Sequence, residues 1–202
     1  MTEVLVFALI AIFSYAIGNF SAARIIAKSF KSLNVYKVGT GHPDTENIYE
    51  NVDKTLGVLV GIVDAGKMYL YLTILKMIFL RFNIFCDSGD CQNDLLIFGL
   101  ATIIGHCFPI LHYFKGGRGI FTYVGFMLFF AFYPMAIVLV LSSLIILFFN
   151  QIRFSKYLVV LLPPLLAFFF PQFAKPFIAK MIITAILMGI LNFLVSKRMG
   201  EI

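Results

Sequence analysis

The stretch HYFKGGRGIFTYVGF, residues 112–126, sets three glycines, Gly116, Gly117 and Gly119, beside two cations, Lys115 and Arg118. Glycines so close together leave a backbone free to wrap a tetrahedral anion while the two cations neutralise it. The spacing is not that of a Walker A loop, which requires G-x-x-x-x-G-K-[ST]. Just upstream, GHCFP puts His106 into an otherwise apolar run, and a polar side chain inside a membrane segment is costly enough to be a functional candidate. A second glycine pair stands in VGTGHP. There Gly39, Thr40 and Gly41 can turn through positive φ and aim consecutive N–H groups at one point, with the Asn47 amide close in sequence. In VDAGK, Asp64 and Lys67 are three residues apart and so share a helical face. Together these types and spacings offer anion binding and chemistry on a lipid that carries phosphate. Each also has a plainer reading: a basic membrane anchor, a Gly-Pro turn, a structural histidine, and an ion pair that satisfies only itself.

The elements that must carry these residues are membrane helices. The chain has 202 residues, 61% hydrophobic and 13% charged, with a mean hydropathy of +0.97, outside the range of a soluble domain of this size. Apolar runs fall at about 4–27, 55–80, 95–113, 120–149, 157–171 and 178–196, and a crossing helix takes about 20 residues. Because backbone polar groups in lipid must be satisfied internally, the expected fold is all-α, a polytopic transmembrane helical bundle forming a single domain over residues 1–202. As one helix, the run 120–149 would be about 45 Å long, well beyond a hydrocarbon core of about 30 Å. Pro134 lies near its middle, where the helix is expected to break. The split gives about seven helices, and one of the two halves is expected to tilt or stop short of the far leaflet. The first twenty residues, with Glu3 and no basic start, read as the first of these helices and not as a removed signal.

Seven crossings with the N-terminus outside place Lys115/Arg118, Arg153/Lys156 and Lys197/Arg198 on the cytoplasmic side with the C-terminus, and the acidic loop 87–94 outside. Lys175 and Lys180 are left external and break the pattern. The long polar segment 31–54 also falls on the cytoplasmic side, and connections longer than about 12–15 residues are usually functional or disordered. Cys86 and Cys91 share the external loop, where they read either as a disulfide or as two free thiols. No histidine lies near that pair and Cys107 is alone, so no metal or other cofactor is expected. The net charge of +6 implies attraction to anionic lipid headgroups and phosphorylated metabolites, and no nucleic-acid partner is expected.

On these residues, nearly the whole chain resembles the bacterial acyl-phosphate:glycerol-3-phosphate acyltransferases, membrane enzymes that begin phospholipid synthesis. GHCFPILHYFKGGRG, residues 105–119, is similar to the family's G-H-x-F-P-x-x-x-x-F-K-G-G-K-G block, with arginine in place of the second lysine. VGTGHPDTEN, residues 38–47, resembles the V-G-S-G-N-x-G-A-T-N block. Asp64 and Lys67 match a D-x-x-K pattern, Ser155 falls at a later family serine, and Asn192 and Glu201 fit the C-terminal pattern. There are departures. Asn19 replaces the serine of G-S-I-P and Tyr36 an arginine, while His42, Asp44, Thr45 and Glu46 replace Asn, Gly, Ala and Thr. Gly189 stands for a histidine and Val195 for an arginine. Acids at positions 44 and 46 are electrostatically unfavourable beside a phosphate.

The resemblance implies seven helices with an external N-terminus, and an enzyme of the bacterial cell (inner) membrane with its active-site loops cytoplasmic. Its reaction would move a fatty acyl group from acyl phosphate to the hydroxyl of glycerol-3-phosphate, giving lysophosphatidic acid and phosphate. His106, Lys67, Asp64 and Asn192 become the catalytic candidates. Gly39, Thr40, Gly41, Asn47, Lys115, Gly116, Gly117, Arg118, Gly119 and Ser155 become the phosphate-binding candidates, without a choice of which loop holds which phosphate. Either His106 or a substrate phosphate oxygen would accept the hydroxyl proton. The H-x-x-x-x-D of the other large glycerolipid acyltransferase class is absent, because Asn47, Leu111 and Gly117 stand five residues after His42, His106 and His112. There is no G-x-S-x-G elbow either. A small anion transporter and an inactive relative that binds lipid or phosphate are the alternatives, although neither glycine block occurs twice, as a repeat-built transporter would suggest.

Overall fold

Ser21, Asp44 and Asp53 start three helices in the same way, each offering a side-chain oxygen to a backbone N–H three residues on, that of Arg24, Asn47 and Leu56. The computed structural model describes residues 2–85 and 91–200, and these fold into helices with no strand among them. The helices are α1 (Thr2–Gly18), α2 (Ala22–Lys31), α3 (Thr45–Asn51), α4 (Lys54–Phe82), α5 (Gln92–Cys107), α6 (Ile120–Phe130), α7 (Phe132–Phe149), α8 (Ile152–Leu166) and α9 (Lys175–Met199). Among the described residues, six segments are long and apolar enough to cross a membrane: α1 with α2, α4, α5, α7, α8 and α9, some extended by an adjoining turn. The chain is a multi-pass membrane protein. The seventh apolar segment is α6, only 11 residues, which spans about 16 Å and stops short of a full crossing. Cys86 and Glu201 lie outside the described residues, and with them the disulfide alternative and part of the C-terminal pattern.

The break in the run 120–149 falls at Ala131, three residues before Pro134. Had the helix continued, Pro134 could not have donated to the Phe130 carbonyl and its ring would have pressed on it. Stopping at Phe130 leaves Pro134 in the first turn of α7, where a missing N–H does no harm, and Met135 N–H makes the opening bond to Ala131 O at 3.0 Å.

Glycines bring the helices into backbone contact, as membrane helix packing favours. A Cβ on Gly18 would run into the backbone of Thr102 and His106, and one on Gly105 into the Tyr15 carbonyl, so α1 lies directly on α5. Gly125 of α6 meets the Ala65 carbonyl of α4 in the same manner. Around these crossings, Met68, Leu72, Phe79, Phe98, Tyr123 and Phe126 are fully buried.

Contacts between chain segments sort the loops onto two faces. Tyr36 donates to the Lys115 carbonyl at 3.0 Å, Arg118 pairs with Asp44, Lys156 with Glu46, and Arg198 donates to the Tyr113 carbonyl at 3.2 Å. Segment 32–53, loop 108–119, the α7–α8 turn and the end of α9 therefore share one face. On the other, Lys180 meets Asn93, and Phe7 packs edge-on against Phe85.

Candidate active site

The deepest charged group is built from three elements. Lys67 on α4 donates to the Phe20 carbonyl at the α1–α2 break, to Asp64 Oδ1 at 3.0 Å, and to His106 Nδ1 on α5, also at 3.0 Å. An ammonium has three N–H bonds and no acceptor, so Lys67 is fully engaged and its side chain is only 11% exposed. Because the ammonium can only donate, His106 Nδ1 accepts and the ring proton sits on Nε2. Nε2 faces the glycine loop, where a Cβ on Gly117 would lie 2.8 Å from it and 2.9 Å from the Pro43 carbonyl.

The glycines at 116, 117 and 119 have a different cause from the one expected. A Cβ on Gly116 would strike the His106 and Cys107 carbonyls. Gly119, at φ +77°, would put one 2.7 Å from Cys107 Sγ. The loop thus lies against the end of α5, which is possible only without side chains. Arg118, buried, clamps it to α3: its N–H and guanidinium reach Asp44 Oδ2 at 3.3 and 3.4 Å, and the guanidinium reaches Glu46 Oε2 at 2.7 Å. Lys156 of α8 holds Glu46 through both carboxylate oxygens, at 2.9 and 2.8 Å. The acids that looked unfavourable beside a phosphate are neutralised by Arg118, which was expected to hold it, and by Lys156, which was not among the phosphate-binding candidates.

The other glycine loop turns inward. Gly39 and Gly41 do take positive φ, +54° and +74°. However, Thr40 N–H donates to Asn47 Oδ1 at 3.0 Å, Gly41 N–H to the Val38 carbonyl at 3.0 Å, and His42 N–H to Thr40 Oγ1 at 3.4 Å. Asn47 Nδ2 donates to the Val38 and His42 carbonyls at 3.0 and 2.9 Å. The Thr40 and Gly41 amides, expected to take part in an anion nest, are used within the loop, and Asn47 is the peg that holds it.

A cavity of about 580 Å³ runs from the charged face into the bundle. Asp44, Glu46, Arg118, Lys156 and Lys54 line its mouth, with Ser155 beside them. Its wall is apolar, with Val58, Ile62, Phe121 and Val124 from α4 and α6 facing Leu139, Ile146 and Val159 from α7 and α8. Asp64, His106 and Gly119 also border it. The structure thus brings Asp64, His106, Arg118, Gly119 and Ser155 to one cavity. Lys67, Gly116 and Gly117 stand just behind His106. Gly39, Thr40, Gly41, Asn47, Lys115 and Asn192 lie outside its lining. Gly189, in place of the family histidine, is on the exposed face of α9, where an added Cβ meets nothing within 4 Å.

Sequence reasoning missed Arg24 of α2, which donates to Tyr36 Oη at 3.3 Å and to the Asn19 carbonyl, and so brings a guanidinium to the place where the family arginine is missing. A charge inside the apolar run 4–27 was the available signal. Lys156 and Glu46 as a pair were not foreseen either.

Fold and site together define a polytopic membrane protein with a cavity that joins a charged mouth to a lipid-like interior. The sequence family described as glycerol-3-phosphate acyltransferase matches residues 8–199, and the chain belongs to that family. It is 30% identical over 180 residues to glycerol-3-phosphate acyltransferase 2 of Lactobacillus acidophilus, covering 89% of this chain and 81% of that one. To the Fusobacterium nucleatum glycerol-3-phosphate acyltransferase it is 30% identical over 158 residues, covering 78% and 76%. Its fold is similar to that of the integral membrane glycerol 3-phosphate acyltransferase PlsY in its glycerol 3-phosphate form, with a TM-score of 0.73 at 22% identity over 95% of this chain and 88% of that one.

Proposed function

We propose that this chain transfers a fatty acyl group from an acyl phosphate to a hydroxyl of glycerol-3-phosphate, releasing lysophosphatidic acid and inorganic phosphate at the cytoplasmic face of a bacterial cell membrane. The observation that carries the reading is the cavity itself, with Arg118, Lys156 and Lys54 at its mouth and an apolar wall below. An acyl phosphate has that same division, with phosphate at one end and a hydrocarbon chain at the other. The cationic face, with Lys115, Arg153, Lys156, Lys197 and Arg198, fits the cytoplasmic side. The names of the relatives support glycerol-3-phosphate as the acceptor.

The chemistry follows from the groups present. An acyl phosphate is a mixed anhydride with a good leaving group, so the protein needs no nucleophile and acts by positioning and electrostatic preorganisation. A substrate phosphate entering the mouth meets cations already held by Glu46 and Asp44, and its oxygens replace the Glu46 carboxylate on Arg118 and Lys156. His106 presents Nε2–H toward the glycine loop and takes part as a donor. Its Nδ1 is filled by Lys67, so the proton of the attacking hydroxyl goes to an oxygen of the departing phosphate. Asp64 and Lys67 fix the imidazole.

The test is turnover. Purified protein in lipid, given acyl phosphate and glycerol-3-phosphate, is expected to release phosphate and form lysophosphatidic acid in equal amounts, and to release none when the acceptor is omitted. Protein that binds both compounds without forming product contradicts the proposal.

A further inference from the structure

The cavity opens sideways as well as at its charged mouth. Val58 and Ile62 of α4 and Leu147 of α7 border it, yet they are 51%, 64% and 75% exposed, so they line the cavity and face the bilayer at once. The packing accounts for the gap. α4 packs on α6 and α7 on α8, and α6, only 11 residues long, joins the two pairs. A lipid can therefore slide in between α4 and α7 without leaving the membrane. Bilayer phospholipids share the division of the cavity, phosphate at one end and hydrocarbon at the other, and basic surfaces attract the anionic ones. An open cationic cleft would fill with them.

What such a lipid meets at the mouth is Glu46. Its carboxylate lies 2.7 Å from the Arg118 guanidinium and accepts from Lys156 through both oxygens, at 2.9 and 2.8 Å. Among the described residues of the mouth, Lys54, held over the Tyr49 ring, joins Arg118 and Lys156 against Asp44 and Glu46. With Glu46 swung out, three cations face Asp44 alone and two positive charges are unmet. A terminal phosphate, in a monoester or an acyl phosphate, carries close to two negative charges above a second pKa of about 6. It matches the vacated charge. A phosphodiester carries one. It would exchange a unit charge for a unit charge, leave the mouth one charge short, repel the displaced carboxylate and give up its freedom in the bilayer.

We infer that Glu46 is a tethered stopper that sets a charge threshold: it keeps singly charged bilayer phospholipids out of the laterally open cavity and yields to a doubly charged terminal phosphate. The inference rests on the reading above that a substrate phosphate enters at this mouth, and adds which anions can open it. Held on α3 beside its partners, the carboxylate competes without diffusing to the site.

The experiment compares wild type, Glu46→Gln and Glu50→Gln in nanodiscs of phosphatidylcholine alone and of equal parts phosphatidylcholine and phosphatidylglycerol. Glu50 is the control, an exposed acid on the same helix and outside the cavity lining. Calorimetry gives the glycerol-3-phosphate Kd, and each protein is read as its ratio of Kd in mixed discs to Kd in phosphatidylcholine, because surface charge repels the ligand alike in all three. Wild type and Glu50→Gln should agree within about 2-fold, and the Glu46→Gln ratio should exceed theirs by at least about 3-fold, since the lipid now occupies the mouth. In phosphatidylcholine alone Glu46→Gln should bind more tightly than wild type. Equal ratios for the three proteins overturn the inference, as does weaker binding by Glu46→Gln in phosphatidylcholine, which would make Glu46 a strut and not a stopper. Turnover in the same discs separates the two proposals: the expected binding pattern without product leaves the stopper standing and sinks the acyl-transfer reading, and glycerol-3-phosphate that binds none of the three overturns both.

Discussion

The cluster around Lys67 and the one around Glu46 both pair opposite charges, and they are built to different ends. In the inner one, a single ammonium uses all three donors on groups from the α1–α2 break, α4 and α5, and little of it reaches solvent. In the outer one, Arg118 and Lys156 share Glu46 at a cavity mouth, with side-chain exposures of 24% for Lys156 and 16% for Glu46. The inner cluster can lose a member only by leaving a buried charge or imidazole without its partner. The outer one can exchange a carboxylate for another anion, because both its cations remain satisfied by the substitute. The comparison teaches that charge pairing alone does not separate architecture from recognition. What separates them is whether an arriving ligand could replace one of the partners.

The sharpest way to break this distinction is Lys67→Ala. With Asp64 left buried and uncompensated, the folded state should lose about 3 kcal/mol or more, seen as a much lower thermal midpoint in detergent and loss of turnover. Adding Asp64→Asn should recover most of the midpoint but not the turnover. A Lys67→Ala protein with wild-type stability would mean the inner cluster is not a structural pin.

Gly117→Ala comes next, because the new Cβ would lie 2.8 Å from His106 Nε2 and 2.9 Å from a backbone carbonyl. Displacing the imidazole should lower kcat by about two orders of magnitude with a smaller effect on stability, whereas Gly189→Ala, facing open space, should change neither. At the mouth, Glu46→Gln should lower the glycerol-3-phosphate KM by about 2- to 5-fold, a partly exposed ion pair being worth at most about 1 kcal/mol, and Lys156→Ala should raise it. The opposite signs are the signature of competition. Smallest is the cap of α4. The Leu56 N–H, aided by the charge of Lys31, holds the Asp53 carboxyl below its ordinary 3.8. That contribution is fully present above about pH 3.8 and is lost as pH falls through the lowered value. Asp53→Asn should therefore flatten the dependence of the thermal midpoint on pH in that acid range.

Much of this was legible in the sequence. The apolar runs located the membrane helices, and the length of the run 120–149 required a break. Its position shifted because a proline disturbs the carbonyl four residues before it and is tolerated in a first turn. Asp64, Lys67 and His106 stood out because charge and imidazole are costly in lipid. The two glycine blocks could not be told apart, since φ is local and the amide partners are not. Asn47 occupies the amide of Thr40, while Gly117 makes room for His106. Asp44 and Glu46 looked repulsive because the Arg118 and Lys156 that neutralise Glu46 lie 72 and 110 residues away.

The most direct measurement is a structure of the lipid-embedded chain with glycerol-3-phosphate bound. The account predicts phosphate oxygens within hydrogen-bond distance of the Arg118 guanidinium and Lys156 Nζ, with the Glu46 carboxylate turned away and Thr40 N–H still on Asn47. Phosphate seated on the amides of Gly39 to Gly41, with Glu46 still bound to Arg118, would contradict it.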